Sequence, residues 1–288
     1  MLLHAIHLSN FLSFGENTQP LQLRPLNVVI GPNGSGKSNL LESIDLLRSA
    51  PGKLLTPIRE GGGVRDWLWK GAAQTPTAQV DAIVANPKGP TDLRYVLSFT
   101  EVGQRFEIVD ERIENDFPDT GHDKPYFYYR FESGHGVLNV KGTKRRLQHE
   151  DIDPTASILA QRRDPDQYPE LTYLGDAFGK IRLYREWSFG RHTAPRLPQK
   201  TDLPNDQLEP DGSNLGLVLN RLRREPKVKK RLLEALRALY DGIDDFDTLI
   251  EGGTVQVFLH EGRITVPATR LSDGTLRYLC LLAILCHP

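Results

Sequence analysis

The chain has 288 residues, of which 39% are hydrophobic and 25% charged, with a formal net charge of −1. This length allows one large domain or two modest ones, and the composition is that of an ordinary soluble globular protein. The near-zero charge excludes a global basic field that would point to nucleic acid or an anionic membrane.

The opening MLLHAIHLSNF has no basic n-region or cleavage site, so it does not read as a signal peptide. His4–Leu8 alternates loosely and predicts a strand, followed by an aromatic turn at Asn10–Gly15. Leu26–Ile30 is a β-branched run that reads as a buried strand. Gly31–Gly36 is a glycine-rich loop. A helix from Lys37 to Leu47 follows, with Leu40, Leu41, Ile44 and Leu47 at helical spacing and a stop at Pro51-Gly52. Short β-patterned runs then recur at 79–84, 94–99, 105–109, 126–131 and 136–140, separated by turn clusters, and predict an antiparallel meander. Helices are expected from Asp153 to about Gln161, over Tyr168–Phe178, over Asn214–Arg224 with Ser213 as N-cap, and from Pro226 to Tyr240. Pro195–Pro210 reads as an exposed loop. A hairpin around His260-Glu261-Gly262 precedes a final apolar helix starting at Ser272 or Asp273. The two cysteines, Cys280 and Cys286, lie in that last helix. They form no disulfide framework, and the longest apolar run is too short to cross a bilayer, so the expectation is a cytoplasmic protein with no membrane partner.

Gly31-Pro32-Asn33-Gly34-Ser35-Gly36-Lys37-Ser38 matches GxxxxGKS, the Walker A pattern, in its required context between a β-branched run and a helix. The bland alternative is a chance glycine-rich turn before a helix. The chemistry accounts for each residue type. Glycines allow backbone N–H groups to line a nest for phosphate oxygens. Lys37 supplies charge to the β- and γ-phosphates, Ser38 offers a hydroxyl to Mg²⁺, and the helix N-terminus faces the same anion. With Asn33 and Asn39 the stretch becomes GPNGSGKSN, which resembles the ATPase heads of the ABC class, particularly SMC-like and RecF-like proteins. Leu8–Phe14 resembles the opening strand and aromatic turn of the same group, a segment that packs near the adenine side of the site.

Leu271-Ser272-Asp273-Gly274-Thr275 is, locally, a capped helix start. It also resembles the ABC signature LSGGQ in an LSDGT variant, with Asp273 in place of the middle glycine and Thr275 in place of glutamine. By that resemblance Ser272 and the Gly274 N–H touch the γ-phosphate held by a second copy, so the implied partner is another chain of the same kind, joined through ATP.

About 230 residues separate the two motifs, and no heptad run lies between them. The chain therefore resembles the compact AAA/ABC-type ATPases of the RecF-like and overcoming-lysogenisation-defect group. The implied fold is α/β: a P-loop ABC-type ATPase head with an antiparallel β subdomain and a helical subdomain. The expected organisation is a Walker A part at 1–60, the β subdomain at 61–150, a helical insertion at 151–240, and the hairpin with the signature helix at 241–288. In the family a Walker B strand carrying the catalytic carboxylate follows the signature helix. Phe106–Glu111 is read as an ordinary strand ending at a turn, and Asp244-Asp245 lacks a preceding apolar strand, so no catalytic residue is assigned within this sequence. The expectation is ATP and Mg²⁺ binding with little hydrolysis by this stretch alone, and an ATPase in the full-length family member.

Gln161 and Gln74 compete as the glutamine that reads the γ-phosphate. Seven of the eleven residues Arg221–Arg231 are basic, and Lys141, Lys144, Arg145 and Arg146 form a second basic turn; both read first as solvated surface and second as DNA or partner contacts. The histidines lack metal-ligand spacing. The functional expectation is an ATP-dependent dimeric switch in DNA maintenance or phage defence. The alternatives are an ATP-gated, non-hydrolysing scaffold controlling an effector such as a nuclease, or a P-loop small-molecule kinase.

Overall fold

The computed structural model describes residues 2–132, 135–140, 143–146 and 152–286. Two units divide the chain, at Ile181/Arg182.

The first unit is built on an eight-stranded antiparallel sheet. Its strands are β1 (Leu3–Ser9), β2 (Leu21–Gln22), β3 (Ala78–Val84), β4 (Leu93–Val102), β5 (Arg105–Asn115), β6 (Phe127–Glu132), β7 (His135–Val140) and β8 (Thr143–Arg146), in the order β2-β1-β3-β4-β5-β6-β7-β8. From β3 onward each strand pairs with the next, so the expected meander is present, extended by β8. Side-chain alternation splits the sheet into two faces. Tyr95, Leu97, Phe99, Ile113 and Tyr129 are buried in an apolar core. On the opposite face Arg94 bridges Asp81 at 2.6 Å and Glu114 at 3.4 Å. The helices supply the remainder of that core: α1 (Lys37–Ser49), α2 (Leu55–Glu60), α3 (Val64–Trp67), α4 (Ile158–Gln161) and α5 (Pro169–Gly179). Helix α1 buries Leu40, Ser43, Leu46 and Leu47, a stripe at helical spacing. Helix α2 falls in the expected 1–60 part, where no element was foreseen after Pro51-Gly52, helix α3 falls within the expected β subdomain, and α4 is only the last turn of the expected 153–161 helix.

Leu26–Ile30 departs most from expectation. It pairs with no strand among the described residues, and Leu26, Val28, Val29 and Ile30 are 82%, 79%, 51% and 86% exposed. A run apolar on both faces forms a buried strand only with neighbours on both sides, and the sheet of this unit ends at β2 on its near edge.

The second unit holds β9 (Gln199–Lys200), α6 (Leu215–Leu222), α7 (Pro226–Leu239), β10 (Asp245–Glu251), β11 (Thr254–Glu261), β12 (Ile264–Pro267) and α8 (Asp273–Leu285). Strand β11 is central, flanked by β10 on one edge and by β12 and β9 on the other. Strand β10 was not foreseen. It begins at the Asp244-Asp245 pair, so the strand follows these acids instead of preceding them. Phe246, Val257 and Leu259 meet Leu219, Leu232, Leu276 and Leu279 in a second core. Asn214, not Ser213, stands at the N-cap of α6, and its amide ties down the preceding loop through the carbonyls of Pro204 and Gln207, 2.8 Å each. Pro195–Pro210 is accordingly not a free loop: Arg196, Gln199 and Leu208 are buried. Cys280 and Cys286 are free, buried thiols, and burial pushes Cys280 up to about 12. Lys141 lies outside the described residues, while Lys144–Arg146 form part of β8 and not a turn. No described helix is long and apolar enough to cross a membrane.

Candidate nucleotide-binding site

Residues 31–39 form one local structure at the start of α1. Gly34 and Gly36 have φ of 81° and 88°, the left-handed region that turns consecutive N–H groups toward one side of a loop. Gly36 is the N-cap of α1, no side chain caps that end, and the first helical turn carries no acid. The end of a 13-residue helix, with its positive dipole and donor N–H groups, is thus left open to an anion. Lys37 folds over the loop and donates from Nζ to the carbonyls of Gly31 and Pro32, both at 2.8 Å, with Ser35 Oγ at 3.4 Å. Ser35 N–H closes the turn onto the Pro32 carbonyl at 3.3 Å. The ammonium is therefore held directly above the nest. Asn33 and Ser38 complete the loop and the first helical turn.

The aromatic turn abuts this loop. Phe11 and Phe14 exchange backbone hydrogen bonds at 2.9 and 2.8 Å, an arrangement made by left-handed Asn10 and Leu12 (φ 52° and 50°). Trp67 holds the turn from below: its carbonyl accepts from Leu12 N–H at 2.9 Å, and Phe11 packs edge-to-face on its ring at 5.6 Å. Ser13 Oγ accepts from Asn39 Nδ2 at 2.8 Å. A Cβ at Gly36 would stand 2.9 Å from Ser13 Oγ and 3.4 Å from the Phe14 ring. Sequence reasoning named the turn by resemblance but missed Trp67, which is 57 residues from Asn10 and carries no local signal.

The two candidate glutamines differ in how their side chains are engaged. Gln161 spends its amide on its own loop: Oε1 accepts from Asp153 N–H at 2.9 Å, and Nε2 donates to the carbonyls of Ala156 (2.6 Å) and Asp153 (3.1 Å). Gln74 is exposed and lines a cavity of about 240 Å³ with Trp69, Arg65 and Glu101.

Glu111 corrects the reading of 105–111 as a strand that ends there. Strand β5 continues to Asn115, and Glu111 points into the core. Its carboxylate accepts from Ser157 Oγ, from Tyr95 OH at 2.8 Å and from Ile158 N–H at 2.9 Å, so it fixes the start of α4. Burial raises its pKa to about 7, against the lowering effect of these three donors. Three donors thus occupy most of its acceptor sites and tie β5 to the start of α4.

In the second unit, Ser272 caps α8 as expected. Its Oγ accepts from Thr275 N–H at 3.0 Å and lies 2.8 Å from Thr275 Oγ1. Ser272, Asp273 and Gly274 are exposed, while Leu271 and Leu276 on either side are buried. The Asp273 carboxylate pairs with Arg196, whose one indirect signal in the sequence is an acid standing where the resembling motif has glycine. Among the described residues no group of three or more His, Cys, Asp and Glu side chains could hold a metal ion.

Three comparisons place this geometry among known proteins. Residues 26–288 match the family described as AAA domain, putative AbiEii toxin, Type IV TA system. An 84-residue stretch is 37% identical to the chromosome partition protein Smc of Cereibacter sphaeroides (strain ATCC 17029 / ATH 2.4.9), covering 28% of this chain and 7% of that protein; the match thus spans a small part of the curated relative's length. The fold is similar to that of an Smc head solved in complex with the C-winged helix domain of ScpA, with a TM-score of 0.51 and 13% identity over 99% of this chain and 76% of that one. The fold is that of a P-loop ABC-type ATPase head of the SMC kind, and the chain belongs to the AAA-domain family described as putative AbiEii toxin, Type IV TA system.

Proposed function

We propose that this chain binds ATP at residues 31–39 and that two copies associate around the bound nucleotide, each presenting Ser272 and the Gly274 N–H to the γ-phosphate held by the other. The observation that carries the first half is the uncapped, acid-free N-terminus of α1 beneath a left-handed glycine nest, with Lys37 suspended over it. These groups fit a polyphosphate: backbone donors for the oxygens, one ammonium for the charge, and the aromatic turn with Ser13 alongside for the base. Ser38, at the first turn of α1, would hold Mg²⁺, which when bound draws charge from the β- and γ-phosphates.

The second half rests on the exposed Ser272–Gly274 tip at the head of a buried helix. Hydrolysis in the full-length protein would then reset the dimer, a conformational switch in DNA maintenance or in phage defence. The family description, with its reference to a toxin system, supports the defence role. The Smc head that binds a domain of ScpA supports a further protein partner for the switch.

Sedimentation velocity with and without ATP tests the reading. The expected result is a monomer that becomes a dimer on ATP addition, with the shift abolished in Lys37→Ala. A chain that binds ATP yet stays monomeric would rule out the signature role.

A further inference from the structure

Arg196 is the most completely used buried cation in the second unit. Its side chain is 9% exposed. Nε donates to the Phe189 carbonyl at 2.8 Å, and Nη1 donates to the Leu271 carbonyl at 2.6 Å, with the carbonyls of Ala268 and Thr269 at 3.4 and 3.5 Å. Nη2 donates to Asp273 Oδ1. One guanidinium thus gathers the carbonyls that lead into the Ser272–Gly274 tip. A planar fork of five donors can do this; a point-like ammonium cannot.

The arginine is itself fixed. Its N–H bonds the Thr193 carbonyl at 3.0 Å, and Gln199 Nε2 bonds the neighbouring Ala194 carbonyl at 3.1 Å. Phe189, whose carbonyl it holds, is buried and packs under the guanidinium of Arg277 at 5.5 Å, so the same loop is also gripped from the second turn of α8.

The charge pattern gives this clamp a second consequence. Asp273 is 72% exposed in the first turn of α8. An acid there suits the helix dipole but would repel an approaching phosphate. Arg196 offsets that charge from beneath, while Ser272 and Gly274 stay exposed.

We infer that Arg196 is the positioning residue of the Ser272–Gly274 tip, with Asp273 as its counter-ion, so that this tip is held ready for a phosphate borne by a second copy. This rests on the proposed function of the tip, and its test separates the two. Arg196→Lys keeps the charge but cannot span Phe189, Leu271 and Asp273 together. Arg263→Lys, in the β11–β12 turn, is the control.

Hydrogen exchange at the Thr275 and Leu276 amides, which bond Ser272 Oγ and the Ser272 carbonyl, should accelerate at least about tenfold in Arg196→Lys. Affinity for a fluorescent ATP analogue should stay within about twofold, because residues 31–39 are untouched, while the ATP-linked dimer weakens by about tenfold or more. A merely structural arginine would not separate dimerisation from nucleotide affinity. Unchanged exchange at these two amides in Arg196→Lys overturns the inference. If the wild-type chain forms no ATP-dependent dimer, the proposed function falls, and the exchange result still decides for or against Arg196.

Discussion

Asn39 Nδ2 donates to Ser13 Oγ at 2.8 Å, linking the first turn of α1 to an aromatic turn 26 residues earlier. The bond is short-range in space but joins the phosphate loop to the segment that would flank the base. It is also exposed, so water can replace it at modest cost. Ser13→Ala should therefore change stability by less than about 1 kcal/mol in urea denaturation. It should nonetheless lower ATP affinity by roughly three- to tenfold, because the turn loses its tie to the loop. Equal affinity in Ser13→Ala and the parent would show that the turn takes no part in binding.

Gly36→Ala is expected to be harsher. A side chain there must accept φ of 88°, which costs about 1 kcal/mol or more, and must displace Ser13 Oγ from 2.9 Å. The prediction is loss of nucleotide binding by at least about tenfold, read by titration of a fluorescent ATP analogue, with the second unit's thiols as protected as in the parent. Wild-type affinity in this variant would contradict the nest geometry.

Glu111 predicts a pH dependence. Its pKa is raised to about 7 in the folded chain, against 4.5 ordinarily, mainly by burial. Between those values the folded state keeps the proton that the unfolded state has lost, so stability from this group is full below about pH 4.5 and is lost as pH rises toward 7. The difference amounts to roughly 3 kcal/mol. Glu111→Gln is neutral throughout, and its amide can still pair with Ile158 N–H, Ser157 and Tyr95 after rotation. Its urea midpoint should vary less between pH 5 and 7 than that of the parent. Parallel profiles for the two proteins would refute the assignment.

Gln161→Ala discriminates between a loop strut and a γ-phosphate reader. Three hydrogen bonds to Asp153 and Ala156 are lost, which predicts about 1–2 kcal/mol of destabilisation by urea and unchanged ATP affinity. A selective fall in affinity or in ATP-dependent dimerisation at unchanged stability would assign the phosphate role to Gln161 after all.

Local signals carried the recognisable parts of this fold. The glycines and Lys37 are adjacent in sequence, so the loop they form needs no distant partner to be foreseen. The β3–β7 meander was legible for the same reason, each strand pairing with the next. What escaped depends on contacts across long separations. Trp67 under Phe11, Glu111 under Ser157 and Arg196 under Leu271 join residues 46 to 75 positions apart, and periodicity holds no information about them. Strand β10 escaped because its outer half, Leu249-Ile250-Glu251, is exposed and shows no clean alternation. Leu26–Ile30 misled for the opposite reason: its composition is that of a central strand, but no described strand lies beside it.

That run has a practical side. Val28, Val29 and Ile30 form an uncharged β-branched segment open to solvent, the composition that seeds intermolecular strand pairing. When the chain is produced at high concentration, its solubility should be governed by these few residues and not by its overall charge. Light scattering after concentration should fall in Val28→Lys, whose position lies three residues ahead of the phosphate loop. The phosphate loop thus stands next to a highly exposed apolar stretch, and handling the protein means shielding one without disturbing the other.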